Sequence, residues 1–306
     1  SRVLLEKLDA RWAGVLVALV VAGCGGSSSP PPPGARTSAP DVRAATPTAT
    51  PRPPALCTEL AARTIGTVDA PAATELSGLA RASDGTFWTH NDSGDAPRVF
   101  QLDQHAHLKR EVAVTGAQAV DWEDIALRHR TLYVGDIGDN LLQRPNVTVY
   151  RFAVPPPTVT SVAGQRIDLR YSDGAHDAET LLVDPSSGAL TVVTKEIVGN
   201  SGVYVARNGK LRKKATLNLG AGQLVTAGDV SGDGRTIVLR TYDRAFVYTR
   251  KRGESLARAF KRAPCTADAD LLAEGQGEAL ALSENGRAFY TVPEGARPTL
   301  RRYAAR

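Results

Sequence analysis

Five stretches of this chain share one pattern: an acidic or polar opening, a short apolar strand, a turn, and a second strand closed by a polar residue. They are ELSGLARASDGTFWTHND from Glu75, WEDIALRHRTLYVGD from Trp122, AETLLVDPSSGALTVVTK from Ala178, TAGDVSGDGRTIVLRT from Thr226 and GEALALSENGRAFYTV from Gly277. A repeat at about 50 residues constrains the fold more than any single motif, because one such unit cannot bury its apolar faces alone and must stack on its neighbours.

Asp84-Gly85, Asp233-Gly234 and Asn285-Gly286 fall between the paired strands, where these dipeptides supply the positive φ of a tight hairpin. Two more β-rich runs follow most pairs: 99–102 and 111–114, 147–152 and 166–171, 203–206 and 215–219. A four-stranded antiparallel unit at this interval is a propeller blade, so the expected fold is an all-β, five-bladed β-propeller. The last unit has three evident strands, and an unassigned strand, 64–68, precedes the first. That N-terminal strand is expected to complete the fifth blade and close the ring, which removes an open sheet edge. A six-bladed ring, with a degenerate blade hidden in 254–272, is the alternative.

The chain before this region reads differently. Arg2, Lys7 and Arg11 precede the apolar run 12–22, which is too short to span a bilayer and is followed by Gly23 and Cys24. A basic segment, a short apolar run and a small-residue site make a signal peptide, assigned here to 1–23. Val21-Ala22-Gly23-Cys24 resembles a bacterial lipobox, which implies lipidation of Cys24 and a palmitate-type anchor on the extracytoplasmic face of the cell membrane. Residues 24–56 are dominated by Ser, Pro, Gly, Ala and Thr, a composition that cannot bury enough apolar surface to order itself and is expected to form a disordered tether. The propeller is assigned to 57–306.

The formal net charge is +5. Three basic residues against two acidic ones in the signal, and three against one in the tether, leave the folded part at about +2, without the basic excess expected of a nucleic-acid-binding domain. A monomer is expected. With Cys24 assigned to lipid, Cys57 and Cys265 remain, and in an oxidising compartment they are expected to pair as a disulfide.

In a propeller the first strand of each blade lines the central channel and the second returns, so the polar openings and closures share one face. The openings are Glu75 with Ser77, Glu123 with Asp124, Glu179, Thr226 and Glu278; the closures include Asn91, Asp92, Asp136, Asp139, Lys195, Arg240 and Glu294. Carboxylates crowded round one axis raise one another's pKa unless a cation neutralises them. Oxygen ligands in a flexible ring suit Ca2+, for which Glu75, Ser77, Glu123, Glu179 and Glu278 are the candidate metal ligands. Lys195, Arg240, Asp92 and Asp136 are candidate ligand-binding residues, and Asp124, His176 and His90 are the candidate general acids or bases. DVSGDG from Asp229 opens like an EF-hand loop, but its twelfth position is Arg240, and it is read as a turn. His105 and His107 are read as exposed loop histidines.

The runs ELSG, DWEDIA with LYVGDIGDN, HDAETLLVD with VTK, and GQGEALAL resemble the ring motifs of secreted five-bladed bacterial propellers of the SdiA-regulated type. More loosely, they are similar to calcium-activated nucleotidases and phytase-like esterase propellers. The resemblance covers roughly 73–294 and implies a central Ca2+ facing Glu75 or Ser77, Glu123, Glu179 and Glu278; Thr226 departs from the acidic pattern. The function expected from the sequence is a membrane-anchored Ca2+-binding propeller that takes a small-molecule ligand or an envelope protein on its acidic face. The alternatives are a Ca2+-dependent phosphoester or ester hydrolase and a metal-independent envelope scaffold.

Overall fold

The computed structural model describes residues 54–306. The expected signal peptide, Cys24 and nearly all of the tether lie outside the described residues.

Strand β1 (Leu60–Thr67) is followed by β2 (Leu76–Arg81), β3 (Phe87–Asn91), β4 (Arg98–Leu102) and β5 (Leu108–Thr115), and then by β6 (Trp122–Arg128), β7 (Thr131–Asp136), β8 (Asn146–Ala153), β9 (Ser161–Ala163) and β10 (Gln165–Tyr171). Next come β11 (Ala178–Val183), β12 (Leu190–Thr194), β13 (Gly202–Arg207) and β14 (Lys210–Thr216), then β15 (Ala227–Val230), β16 (Thr236–Arg240) and β17 (Ala245–Thr249). After a short helix α1 (Leu256–Ala259), the chain ends with β18 (Cys265–Ala267), β19 (Ala279–Leu282), β20 (Ala288–Val292) and β21 (Thr299–Ala305).

Hydrogen bonding orders these strands as β2-β3-β4-β5-β9, β15-β16-β17-β18, β19-β20-β21-β1, and an eight-stranded sheet running β11-β12-β13-β14-β10-β8-β7-β6. In the eight-stranded sheet, two antiparallel runs meet only through a short parallel pairing of β10 with β14, Arg170 opposite Lys210 and Tyr171 opposite Leu211. The first strands of the successive runs pack in a cycle: β2 on β6, β6 on β11, β11 on β15, β15 on β19, and β19 back on β2. Antiparallel sheets arranged radially about their first strands make a β-propeller.

The core is accordingly split into layers between adjacent sheets. Leu79, Phe87 and Phe100 pack on Ala281, Tyr290 and Leu300, with the Phe87 and Tyr290 rings edge to face at 5.2 Å. Trp88 and Val112 meet Trp122, Val134 and Tyr150 in the next gap. Polar side chains tie the inner strands at their backbones. Asp124 accepts hydrogen bonds from its neighbour Ile125 N and from Leu181 N of β11, each at 2.8 Å, and Asp229 accepts from Val230 N and from Leu282 N of β19, each at 2.7 Å.

β1 pairs antiparallel with β21 from Leu60 opposite Ala305 to Thr67 opposite Thr299, so a strand from before the first repeat completes the sheet of the last. Cys57 and Cys265 form a disulfide with a Cα–Cα distance of 5.7 Å. Segment 254–272, which the six-bladed alternative would give to a further blade, holds α1 and β18, which pairs with β17 as the outer strand of its sheet.

Candidate functional site

The opening ends of the inner strands converge on a cluster of carboxylates. Three triads offer carboxylate oxygens within 4.8 Å of one another: Asp92, Asp121 and Glu123; Asp92, Glu278 and Glu294; and Glu123, Asp177 and Glu179. The triads share Asp92 and Glu123, so they form one continuous acidic hub. These acidic groups could hold a metal ion.

Local irregularity aims two of these side chains. The β6–β7 register jumps between Trp122 and Asp124, and the β11–β12 register between Ala178 and Thr180. Glu123 and Glu179 are thus the extra residues of bulges, which redirect a side chain out of the strand's alternation. Ser77 Oγ donates to the Glu123 carbonyl at 2.6 Å, fixing that bulge from the neighbouring sheet. Gly138 packs so close that a Cβ there would lie 2.1 Å from Glu123 Oε1 and 2.6 Å from Asp121 Cγ. Its peptide N–H donates to the Asp121 carbonyl at 3.2 Å.

Charge crowding shows in the protonation of the hub. Burial, reinforced by Glu179, Asp92, Asp121 and Glu278, holds the Glu123 carboxyl well above the ordinary range. Burial likewise raises Glu179 well above it, against the opposing pull of Lys195. Asp121 is pushed up to about 6 by burial and the Asp92 charge, and Glu294 to about 8 by burial and its contact with Glu278. Asp92 and Asp177 are raised too, burial being the largest cause in each.

Lys195 stands among these acids. Lys195 Nζ donates to Glu179 Oε1, lies 3.9 Å from Glu278 Oε1 and sits over the Tyr242 ring at 5.7 Å. Tyr242 OH donates to Glu278 Oε1 at 2.7 Å. Even with Lys195 and the nearby Arg144, the carboxylates of the hub outnumber its cations among the described residues, and Glu179 Oε2 is buried with no hydrogen-bond partner. That buried, partnerless oxygen and the raised pKa values of the neighbouring carboxyls fit a hard cation, which oxygen ligands of this type would hold.

The structure brings together Glu123, Glu179 and Glu278 of the expected metal ligands, with Asp92 and Lys195 of the expected ligand-binding set. The rest are placed otherwise. Glu75 is exposed and belongs to none of the triads; Ser77 lies beside the hub, its hydroxyl donating to the Glu123 backbone, which leaves the oxygen's lone pairs available. Asp136 is buried and bound by Arg144 at 2.6 Å, while its other role is to accept from Asp121 N at 3.1 Å; it shapes the loop and does not face a ligand. Arg240 is fully buried, with Nη1 on Glu274 Oε2 at 3.0 Å and on the Ala279 carbonyl at 3.3 Å, so it cannot reach an anion on the surface.

The expected acids and bases fare similarly. His90 is fully buried, its Nδ1 on the Asn91 carbonyl at 2.7 Å, and burial lowers its pKa to about 4. Asp124 is fully buried with both oxygens engaged by peptide N–H groups, and burial raises it well above the ordinary range. His176 is partly open, but its Nε2 meets Asp173 Oδ1 at 3.2 Å and Tyr204 OH at 2.9 Å, and its ring packs on Tyr171. DVSGDG is a turn in which Asp233 Oδ1 accepts from Ser231 Oγ and Arg235 N. His105 and His107 sit in a turn organised by Asp103.

Asp121, Asp177 and Glu294 are the hub residues missing from the expected site. The signal for two of them was present as a repeated Asp-x-Glu, in Asp121-Trp122-Glu123 and Asp177-Ala178-Glu179.

No family model matches the chain, and no curated protein matches it. Among solved structures, it is similar to a gluconolactonase from Xanthomonas campestris, with TM-score 0.49 and 11% identity over 80% of this chain and 89% of that one. It is also similar to two glucose dehydrogenase structures, with TM-scores of 0.49 and 0.47 and identities of 10% and 9%, over 80% and 79% of this chain and 100% and 99% of theirs. None of these likenesses bears on the chemistry of the hub.

Proposed function

We propose that this chain is a five-bladed propeller that binds Ca2+ at its hub through Glu123, Glu179, Glu278, Asp92, Asp121 and Asp177 in some subset, and that presents this acidic face to a small ligand or an envelope partner. The observation that carries the reading is the buried, partnerless Glu179 Oε2 in the midst of converging carboxylates. Ca2+ is favoured over Mg2+ because the ring supplies many oxygens without octahedral order, and Ca2+ tolerates six to eight ligands in irregular geometry. The five-blade reading is supported by the cycle of five first strands, with β1 completing the last sheet. The resemblance of the ring motifs to the SdiA-regulated and calcium-activated propellers points the same way.

The lipobox-like Val21-Ala22-Gly23-Cys24 supports anchoring by lipid on the outer side of the cell membrane, with 24–56 as the tether. The hydrolase reading gains little support from its three nominated bases, since His90 and Asp124 are buried and His176 Nε2 is engaged by Asp173 and Tyr204.

The test is metal analysis of the purified chain, followed by calorimetric titration of the chelator-treated protein with Ca2+ and with Mg2+. Stoichiometric Ca2+ binding, weakened at least tenfold in Glu179→Gln, is expected. A chain that takes up neither ion, or binds both equally in the wild type and in Glu179→Gln, overturns the proposal.

A further inference from the structure

Away from the hub, β13 and β14 form an outer hairpin whose exposed face is strongly basic. Arg207 lies opposite Lys210 and Val205 opposite Arg212 in this antiparallel pair, and Arg207, Lys210, Arg212 and Lys214 all line one groove together with Val205, Asn208, Ser255 and Ala257. The groove measures about 780 Å³, and α1 packs along the hairpin beside it.

The charge here is unbalanced. All four cations are exposed, no acidic side chain lines the groove, and none of the four is within salt-bridge distance of a carboxylate among the described residues. Some cations elsewhere on the molecule are paired, as Arg166 is with Asp168, and unpaired exposed ones such as Arg63 and Lys109 stand on other sheets rather than in this groove. Four like charges held on one small surface repel one another, a cost that an anionic ligand relieves.

The spacing restricts that ligand. Alternate residues of a strand stand about 6.6 Å apart, so Lys210 and Lys214 are separated by roughly 13 Å along β14. A single phosphate cannot touch both ends of such a row. The groove is also concave, which suits a chain lying along it better than a flat lipid surface.

We propose that this groove binds a linear polyanion carrying phosphate groups in series, each phosphate meeting one or two of Arg207, Lys210, Arg212 and Lys214. The binding is electrostatic and independent of any metal at the hub.

The test uses the full chain, titrated with fluorescently labelled inorganic polyphosphate at several salt concentrations. Anisotropy should report binding that weakens with a log–log salt slope of about −3, the release expected for four phosphate contacts. The triple variant Lys210→Ala, Arg212→Ala, Lys214→Ala should bind at least tenfold more weakly and lose about two units of slope. A control variant of exposed cations on other sheets, Arg63→Ala with Lys109→Ala, should bind as wild type, and chelator should change nothing. Orthophosphate should compete only at far higher concentration. The proposal is overturned if the control loses as much as the triple variant, if orthophosphate competes as well as the polymer, or if vesicles rich in phosphatidylglycerol bind while polyphosphate does not.

Discussion

Lys195 donates to one carboxylate oxygen of Glu179, and the other oxygen of that carboxylate is buried with nothing to accept from. The lysine is thus an incomplete counter-ion: it holds one oxygen of Glu179 and leaves the other buried without a partner. Replacing Glu179 by Gln keeps the shape and removes the charge. Ca2+ affinity should fall by at least tenfold, while the chelator-treated chain should unfold at a lower urea concentration than wild type because Lys195 is left without its ion-pair partner. Titration calorimetry and urea melts check both halves.

Gly138→Ala tests the same hub without altering its charge. The added Cβ would meet Glu123 Oε1 and the Asp121 carboxyl group, and both must move. Ca2+ binding should weaken about as much as in Glu179→Gln, with secondary structure unchanged by circular dichroism. Wild-type affinity in this variant would show that Glu123 and Asp121 are not ligands.

The hub also predicts a pH dependence whose sign is fixed by the raised carboxyl pKa values. A group that holds its proton more tightly in the folded state stabilises the fold fully below its unfolded pKa and loses that contribution as pH rises through the folded value. Asp121 moves from 3.8 to about 6, and Glu294 from 4.5 to about 8, so the cation-free chain should lose stability between about pH 4 and pH 8. Ca2+ at a hundredfold excess over its Kd adds about 2.7 kcal/mol, or roughly 5–10 °C in Tm for a domain of this size. Thermal melts with Ca2+ and with chelator should therefore differ by more at pH 8 than at pH 5. An equal difference at both would count against cation binding at these groups.

Arg240 predicts an effect on stability alone. Its pair with Glu274 is sealed from solvent, and Glu274 Oε1 also accepts from Tyr303 OH at 2.9 Å. Arg240→Met leaves Glu274 charged and short of a partner, a change that costs about 3–5 kcal/mol. Adding Glu274→Gln should recover much of it. Ca2+ affinity should not change in either variant, as urea melts paired with calorimetry would show.

The disulfide gives a further stability prediction. It joins residues 208 apart in sequence, and closing a loop of that length stabilises by roughly 5 kcal/mol in the chain-entropy model. Cys57→Ser with Cys265→Ser should lower the urea midpoint accordingly and leave the wild-type hub intact by Ca2+ titration.

The repeated hairpins were legible because alternation and Asp-Gly or Asn-Gly turns are local properties of the chain. The strand at 64–68 could be matched to the last sheet because one run had a surplus and another a gap. Other features had no such signature. β18 spans three residues, Cys265–Ala267, too few to show a period, and β9 is as short. At the site, Glu123 and Glu179 could be singled out by their shared phase, whereas the bulges that aim them depend on pairing with a second strand. Arg240 shows the cost of a one-residue error in phase. Arg240 pairs with Ala227 as Thr194 pairs with Ala178, so the counterpart of Lys195 is Thr241, and successive strand residues face opposite ways. His90 and Asp124 misled for a related reason: polarity marked them, but packing between sheets took them out of reach of solvent.

The Cys57–Cys265 bridge also decides how the molecule carries tension. A pull applied through the chain preceding Pro54 meets Cys57 before it meets β1, and the covalent bond passes the load sideways to β18 in the neighbouring sheet. The hydrogen-bonded seam between β1 and β21 is thereby spared the first force, and the joint that closes the last sheet is backed by a link that does not unzip.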